Sequence, residues 1–355
     1  MLLSKLIVAI CLFNFTFAAI PLLPAVGGAA AVAAGIYMAV KCKIDECCDS
    51  KWISCDEVHI LLSKSFSEQF FGQHIAAKSL LSALTGYCNR ETVKSASRWK
   101  PLVLSLHGPT GVGKSHVSHL IADGLFKKGM RSNYVHYFDL ATDLRTEKEQ
   151  SLLHDWILGN ASLCSRQLFI FNEIDKADHH FSGSIDKLHK FFDYGAREGD
   201  IDLTNVIYIF AGNLGTAPLI SYVTSSYRSG QLREEISDRS LELLLERAAF
   251  DQKAGLYQSE IVKRKLIDAF VPFLPLERIH VEKCIRAELE ARFLVEGEDG
   301  LRKSSVKLST NEEEEIISSI IDNLQFEPEH EHERFFAATG CKEIQRLVQK
   351  ATYEF

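Results

Sequence analysis

The stretch LHGPTGVGKSHV, residues 106–117, decides the fold of this chain. Its segment from Gly108 to Ser115 matches the pattern G-x-x-x-x-G-K-[ST] in full. In this pattern the glycines let backbone N–H groups turn inward around phosphate oxygens, and the next helix directs its positive end at the same anion. The apolar run PLVLSLHG precedes the pattern and predicts a buried strand, whereas HVSHLIADGLF follows it with helical period. We therefore predict a phosphate-binding loop between a strand and a helix.

The side chains of this loop predict a site for a nucleoside triphosphate. Lys114 is expected to reach the β- and γ-phosphates, and the Ser115 hydroxyl is expected to be a ligand of Mg²⁺. The residues predicted to bind the nucleotide are Gly108, Pro109, Thr110, Gly111, Val112, Gly113, Lys114, Ser115 and His116.

A second strand candidate, LFIFNE at residues 168–173, ends in residues that would act on that triphosphate. An acidic pair normally ends such a strand: the first acid holds the Mg²⁺ shell, and the second polarises the attacking water. Glu173 is in place as the general base, but Asn172 stands at the metal position. Its amide accepts a hydrogen bond from a metal-bound water but brings no charge, so we expect weaker metal binding and slower turnover.

Two more strand candidates complete an α/β interpretation. NYVHYFDL spans residues 133–140, and NVIYIFAGN ends at Asn213, whose amide can orient the water or contact the γ-phosphate. Because strands alternate with helical segments, we predict a mostly parallel sheet covered by helices on both faces. After about residue 265 the pattern is helical. We assign residues 59–265 to an α/β nucleotide-binding domain and residues 266–355 to a small helical C-terminal subdomain.

The N-terminal residues have the composition of a secretory signal. MLLSKLIVAICLFNFTFAA has one early lysine, an apolar run and small residues, which predicts a signal peptide over residues 1–18; an uncleaved anchor is the alternative. The next segment, residues 19–40, is apolar but rich in Ala and Gly, so it is predicted to span a membrane or lie on it. Residues 41–58 are predicted to be a cysteine-rich tether. A sequon predicts glycosylation at Asn160, in agreement with a secretory route.

Composition and charge exclude some classes of partner. Hydrophobic residues make up 46% of the chain and charged residues 25%, as in ordinary globular proteins. The formal net charge of −7 gives no reason to expect a nucleic acid. None of the nine cysteines forms a CxxC pair, which disfavours a zinc site.

Together these motifs resemble those of an AAA+ ATPase, and more specifically those of the torsins, AAA+ proteins of the endoplasmic reticulum lumen and nuclear envelope. The likeness runs from about residue 41 to the C-terminus and includes KCKIDECC, FFGQHIAAKSLLSALTG, SNYVHYF, LFIFNEIDKA, VPFLPLERIHVEKCIRAEL and ATGCKEIQRL. Its most specific part is Gly340-Cys341-Lys342, which is similar to the torsin sensor-2 motif, a lysine preceded by a redox-active cysteine. The resemblance implies an AAA+ sheet with a helical C-terminal subdomain that binds ATP and Mg²⁺.

The resemblance also implies roles for single residues. Lys342 would reach the phosphates and act with Glu173 and Asn213 in catalysis. Cys284 would pair with Cys341 in a disulfide beside the nucleotide, although a small buried core residue is the alternative for Cys284. Residues implied to lie near the adenine are Phe71, Gly72, Gln73 and His74. Cys42 and Cys164 match a second, structural pair; Cys55 and Cys88 have no counterpart and could pair with each other.

For function, the resemblance implies an ATPase that remodels protein or membrane assemblies. Torsins lack an arginine finger and gain activity from a membrane-anchored activator with an AAA+-like lumenal domain. The implied partners are this activator, protein clients and further copies in a homo- or hetero-oligomer, with membrane association through residues 20–40. Two positions depart from the family: torsins often have Asn where this chain has Ser115, and normally Asp where it has Asn172. The alternative function is therefore a non-hydrolysing, ATP-gated scaffold.

Overall fold

The structure is a computed structural model, and the part of the chain that it describes includes the predicted nucleotide site. The described residues are 46–48, 55–92, 99–177, 179–296, 302–304, 309–327 and 335–354. The predicted signal peptide, the apolar segment 19–40 and most of the predicted tether 41–58 lie outside them. Within the described ranges, no helix combines the length and the apolar character that a bilayer crossing requires.

A five-stranded sheet in which all neighbouring strands are parallel forms the centre of the fold. Its order is β2-β3-β6-β1-β7. The strands are β1 (Leu102–His107), β2 (Val135–Asp139), β3 (Leu168–Asn172), β6 (Ile207–Gly212) and β7 (Ala269–Pro272). The four strands predicted from apolar runs are thus confirmed, and so is the predicted α/β class.

The fifth strand, β7, was not predicted, and it moves the boundary between the two parts of the chain. Ala269–Pro272 has only four residues and lies inside the range 266–355 assigned to the helical subdomain. It pairs with β1 at the edge of the sheet, where Pro272 can end the strand because an edge strand needs no further donor. The α/β part therefore extends past residue 265 to at least Pro272.

Helices cover both faces of the sheet. In chain order the helices are α1 (Cys55–Gln69), α2 (His74–Cys88), α3 (Lys114–Leu125), α4 (Glu147–Leu163), α5 (His179–Lys187), α6 (Thr216–Arg228), α7 (Asp238–Asp251), α8 (Glu260–Lys263), α9 (Arg278–Phe293), α10 (Thr310–Asp322) and α11 (Ile344–Ala351). Short antiparallel pairs complete the structure: β4 (Arg197–Glu198) with β5 (Ile201–Asp202), β8 (Leu294–Glu296) with β9 (Arg302–Ser304), and β10 (Phe326–Glu327) with β11 (Phe336–Ala337).

Alternation along the buried strands builds two cores, one on each face of the sheet. On one face lie aromatic side chains, and Phe171 stacks between Phe138 and Phe210 with ring centroids 5.3 Å apart on both sides. This face packs against α4, α5, α6 and α7. On the other face lie aliphatic side chains such as Leu104 and Ile209, which pack with α1, α2 and α3 and with the C-terminal helices α9, α10 and α11. The apolar surface of the helical subdomain therefore belongs to the same core as the sheet.

The disulfides correct one predicted pairing. Cys164 is bonded to Cys48, with Cα atoms 5.5 Å apart, and not to Cys42, which lies outside the described residues. The cysteine-rich tether offers several thiols within a few residues, and only their positions in space select the partner. The pairing of Cys55 with Cys88 is also wrong, because Cys88 is a buried thiol.

Candidate functional site

The carboxyl ends of β1, β3 and β6 meet at one edge of the sheet. In the register of the parallel strands, His107 lies opposite Gly212, and Phe171 lies opposite Phe210. The residues that follow these strands, Gly108, Glu173 and Asn213, are therefore brought to the same edge. Open α/β sheets bind ligands at this edge, so the topology assembles the predicted motifs.

A cavity of about 920 Å³ opens at this edge, between the sheet and the helical subdomain. Its loop end is lined by Lys114, Ser115, Asn172, Glu173 and Asn213, together with the loop backbone from Thr110 to Gly113, and also by His116 and Lys342. The rest of the lining includes Glu288, Glu290 and Gln345 and an apolar group that we call the apolar end: Phe70, Phe71, Leu276, Ala287, Ile344 and the pair Cys284 and Cys341. Of the predicted nucleotide-binding residues, Gly108 and Pro109 are not part of the lining.

The loop needs glycine at two positions because other backbone segments approach it closely. A Cβ at Gly108 would lie 2.3 Å from the carbonyl oxygen of Phe273, and a Cβ at Gly111 would lie 1.9 Å from that of Thr339. The Cys341 N–H donates a hydrogen bond to the Gly111 carbonyl over 2.9 Å. The predicted sensor-2 turn is therefore joined directly to the phosphate-binding loop.

Lys114 folds back over the loop. Its Nζ donates hydrogen bonds to the carbonyl oxygens of Gly108 (2.8 Å) and Pro109 (2.6 Å) and to Oδ1 of Asn213 (3.0 Å). Burial lowers the pKa of Lys114 to about 8, although the carboxylates of Asp175 and Glu173 oppose this shift. The ammonium group is thus held inside the site by acceptors that a triphosphate can replace.

The two predicted metal residues are in contact. The Ser115 hydroxyl donates to Oδ1 of Asn172 over 3.0 Å, and Asn172 is buried. Two neutral oxygens at this distance suit a hard cation such as Mg²⁺, which prefers oxygen ligands and keeps several waters. The residues therefore fit the metal, but without the charge of a carboxylate.

Glu173 occupies a strained backbone conformation directly after β3. Its φ of 57° lies in the left-handed region, which non-glycine residues rarely adopt. Such strain costs roughly 1–3 kcal/mol and is found most often at functional sites. The turn directs the chain away from the sheet at the point where Glu173 lines the cavity, as a general base requires.

Asp175 is a site residue that the sequence interpretation missed. It accepts hydrogen bonds from the backbone N–H of Asn213 (2.8 Å) and from Nδ2 of the same residue (3.2 Å). The carboxylate is 14% exposed, with Lys176 at 3.6 Å. Its position in the stretch NEIDK, two residues after Glu173, was the signal that could have identified it.

The sensor-2 turn contributes a second cation and a disulfide. Lys342 lines the cavity, and its charge acts to lower the pKa of Lys114. Cys284 and Cys341 form the predicted disulfide, with Cα atoms 6.3 Å apart, so the alternative of an unpaired core cysteine at 284 is wrong. The disulfide ties α9 to the turn at the wall of the cavity.

The segment predicted to lie near the adenine has two kinds of residue. Phe71 lines the apolar end, whereas Gly72, Gln73 and His74 lie outside the lining. Gln73 is buried and supports the wall: its Oε1 accepts from the Leu274 N–H, and its Nε2 donates to the Leu274 carbonyl, both over 2.8 Å. This glutamine therefore fixes the segment to the chain that leaves β7.

Arg233, also missed from the sequence, holds the same segment from the other side. It is 6% exposed, and its guanidinium donates to the Gly72 carbonyl (2.7 Å), the Pro275 carbonyl (3.0 Å) and Oε1 of Glu277 (3.0 Å). The ring of His280 packs on Gly72, where a Cβ would lie 2.7 Å from it. A single arginine thus joins the segment before α2 to the connection between β7 and α9.

The predicted glycosylation site, Asn160, lies near the end of α4. Its side chain is half-buried, and its Nδ2 donates to the Trp156 carbonyl over 2.8 Å. Glycosylation at Asn160 stays a prediction, and it would require this amide to leave its helical contact.

Comparisons with known proteins identify relatives of this chain. A sequence model described as Torsin matches residues 42–171. The chain is 33% identical to a Torsin-like protein of Drosophila melanogaster over 336 residues, which cover 92% of each chain. It is 31% identical to a Torsin-like protein of Caenorhabditis elegans over 326 residues, which cover 90% of this chain and 85% of the relative.

A solved structure of the S. cerevisiae Hsp104–ADP complex is similar in fold. The TM-score is 0.54 at 18% identity, and the match covers 84% of this chain and 47% of the Hsp104 chain. This chain therefore spans about half the length of that protein. At this level of identity the similarity shows the fold alone, which is that of the AAA+ ATPases.

Proposed function

The chain belongs to the torsin family, and from that premise we propose that it binds Mg-ATP in this cavity and hydrolyses ATP slowly. One observation carries the proposal: Lys114 and Ser115 at the start of α3, Glu173 after β3 and Asn213 after β6 line one end of one cavity. These groups are of the types that phosphoryl transfer needs: a cation, a metal ligand, a base and a polar amide.

Each residue has a role in the proposed hydrolysis. Lys114 exchanges its three oxygen acceptors for phosphate oxygens. Ser115 and Asn172 would hold Mg²⁺, which neutralises charge on the β- and γ-phosphates when it is bound. Glu173 takes a proton from the attacking water, whose oxygen bonds to the γ-phosphorus as the bond to the leaving ADP oxygen breaks. Lys342, which follows the turn that contacts Gly111, would contact the phosphates.

The wider role that we propose follows the family resemblance. The protein would act in the lumen of the endoplasmic reticulum and in the nuclear envelope, associated with the membrane through residues 20–40. A membrane-anchored activator with an AAA+-like lumenal domain would supply an arginine finger, which accelerates comparable reactions by roughly 10³–10⁵-fold. Homo- or hetero-oligomers with that activator would remodel protein clients or membrane assemblies.

Asn172 favours a second candidate, a scaffold that binds ATP without hydrolysing it and changes its oligomeric state. The amide keeps the contact with Ser115 but removes one negative charge from the metal site. Nucleotide binding depends mainly on the loop and Lys114, so binding would survive the loss of turnover.

Single-turnover hydrolysis of radiolabelled ATP separates the two functions. We would compare the parent protein, Glu173→Gln and Asn172→Asp, each with and without the lumenal domain of a torsin activator. Our proposal expects slow activity in the parent, a loss of about 100-fold or more in Glu173→Gln with ATP affinity retained, and faster turnover in Asn172→Asp. A parent that binds ATP but hydrolyses it only after Asn172→Asp is a scaffold, and that result would contradict the first proposal.

A further inference from the structure

We propose that Asp175 is the positioning residue of this site: it fixes the amide of Asn213 with the oxygen toward Lys114, so that Asn213 serves hydrolysis as a hydrogen-bond acceptor. The inference rests on the proposed ATPase function and assigns a direction to one of its hydrogen bonds. Sequence motifs identify an amide at position 213, but they do not say which of its two faces meets the substrate.

The carboxylate of Asp175 determines one face of the Asn213 amide. A carboxylate only accepts hydrogen bonds, so the amide atom that faces it at 3.2 Å must be the donor, Nδ2. The backbone N–H of Asn213 binds the other carboxylate oxygen over 2.8 Å, which holds the two residues in register. Asp175 is 14% exposed, so water competes little for these contacts.

The ammonium group of Lys114 determines the other face. It only donates hydrogen bonds, so the amide atom at 3.0 Å must be the acceptor, Oδ1. Oxygen and nitrogen of an amide are assigned from such partners, and here an anion and a cation give the same assignment. Reversing the amide would place two acceptors together at Asp175 and a donor against a cation at Lys114.

The close approach of Asp175 depends on a glycine. A Cβ at Gly212 would lie 2.7 Å from Oδ1 of Asp175 and 2.6 Å from a methyl carbon of Ile174. The last residue of β6 thus leaves space for the carboxylate to reach the residue that follows. Gly212 at the end of β6 therefore makes room for Asp175, and Asp175 in turn binds Asn213, the next residue after Gly212.

This orientation has a consequence for the reaction. When Lys114 turns to the phosphates, Oδ1 of Asn213 loses its donor and can accept a hydrogen bond from the attacking water, whose other proton passes to Glu173. Two acceptors then orient one water molecule. If the amide were reversed, Asn213 would instead donate to the γ-phosphate and would hold ATP without orienting water.

An exchange of the two side chains tests the direction of this hydrogen bond. Asp175→Asn alone puts an amide donor against Nδ2 of Asn213 and favours the reversed orientation. Asp175→Asn combined with Asn213→Asp keeps the local charge, restores a donor–acceptor pair between the positions and leaves an oxygen toward Lys114. Asp202→Asn is the matched control, because Asp202 also accepts several hydrogen bonds but lies before β6.

The measurements are single-turnover hydrolysis with the activator's lumenal domain and the Kd for ATP, both on the full mature chain. In Asp175→Asn we expect hydrolysis to fall by about 10-fold or more while the Kd stays within about threefold, because the water loses an acceptor and the phosphate contacts remain. In the exchanged double variant we expect hydrolysis below the parent rate but at least about threefold faster than in Asp175→Asn, because an oxygen again faces the water. Asp202→Asn should behave like the parent.

Two results would overturn the proposal. One is Asp175→Asn hydrolysing ATP at the parent rate. The other is a double variant that binds ATP but hydrolyses it no faster than Asp175→Asn, since Asn213 would then act as a donor. If the parent hydrolyses no ATP even with Asn172→Asp, the proposed function has failed instead. The orientation is then judged from the urea midpoint of the nucleotide-free protein, which must fall in Asp175→Asn and recover in the double variant.

Discussion

The loop end and the apolar end of the cavity are built by different means. At the loop end, Lys114 binds carbonyl groups five and six residues away in the chain. At the apolar end, Gln73 binds Leu274, 201 residues away, and Arg233 binds Gly72, 161 residues away. A short motif can therefore specify the backbone of the phosphate-binding loop, although Asn213 and Asn172 join this end from distant strands. The contacts described at the apolar end, in contrast, all join segments far apart in the chain. We expect changes at the apolar end to reduce stability first and changes at the loop end to reduce nucleotide binding first.

The largest effect on stability is expected from Arg233→Met, which fills similar volume without the guanidinium. It leaves the Gly72 and Pro275 carbonyls without their donor and Glu277 without its partner. Glu277 is 31% exposed, so we place the loss of unfolding free energy at about 3 kcal/mol, the lower end for a buried ion pair that loses one member. Urea denaturation measures it, with the exposed Arg239→Met as the control. Equal stability in the two variants would mean that the apolar end does not depend on this long-range contact.

Lys114→Met should give the opposite result. Its ATP affinity should fall by about 100-fold, because the phosphates lose a charged donor inside a partly buried site. Its stability should be unchanged or higher, since burial disfavours the ammonium form, whose pKa is lowered to about 8. Calorimetry with ATP and urea denaturation measure the two quantities, with Lys263→Met as the control. A loss of stability as large as that of Arg233→Met would contradict the distinction between the ends.

The smallest expected effect is a pH dependence that originates at the apolar end. Burial and the charge of Arg233 lower the pKa of His280 from 6.5 to about 4. The carboxylate of Glu277 opposes this shift; Lys283 also lowers the pKa, and Glu234 raises it. Between these two values the unfolded chain binds a proton that the folded ring does not, so stability falls as the pH falls from 6.5 toward 4. His280→Gln should reduce this loss of stability by about 2 kcal/mol in urea denaturation across that range. An unchanged slope would assign the acid sensitivity to other groups.

The same contrast explains what the sequence could predict. The strands that carry the motifs were identified because they are continuous apolar runs, and the loop was identified because its spacing of glycines has a direct physical meaning. Strand β7 was missed because four residues that end in a proline show no period. Asp175 and Arg233 were missed because a lone charged residue in a sequence looks like surface, and only the fold reveals that each is largely buried against a distant backbone.

The bond between Cys284 and Cys341 also gives the molecule a preferred route for mechanical force. Tension applied at the C-terminus enters through α11 and reaches Cys341, where the sulfur bridge carries it straight to α9 across a sequence separation of 57 residues. The chain between the two cysteines, which includes α10 and the β10–β11 pair, is bypassed and carries no tension. The same tension acts on Gly111 through the N–H of Cys341. In the oxidised protein, tension that reaches Cys341 would therefore act on the phosphate-binding loop and α9 before it reaches α10, whereas in the reduced protein it would pass along the chain toward β11 and α10.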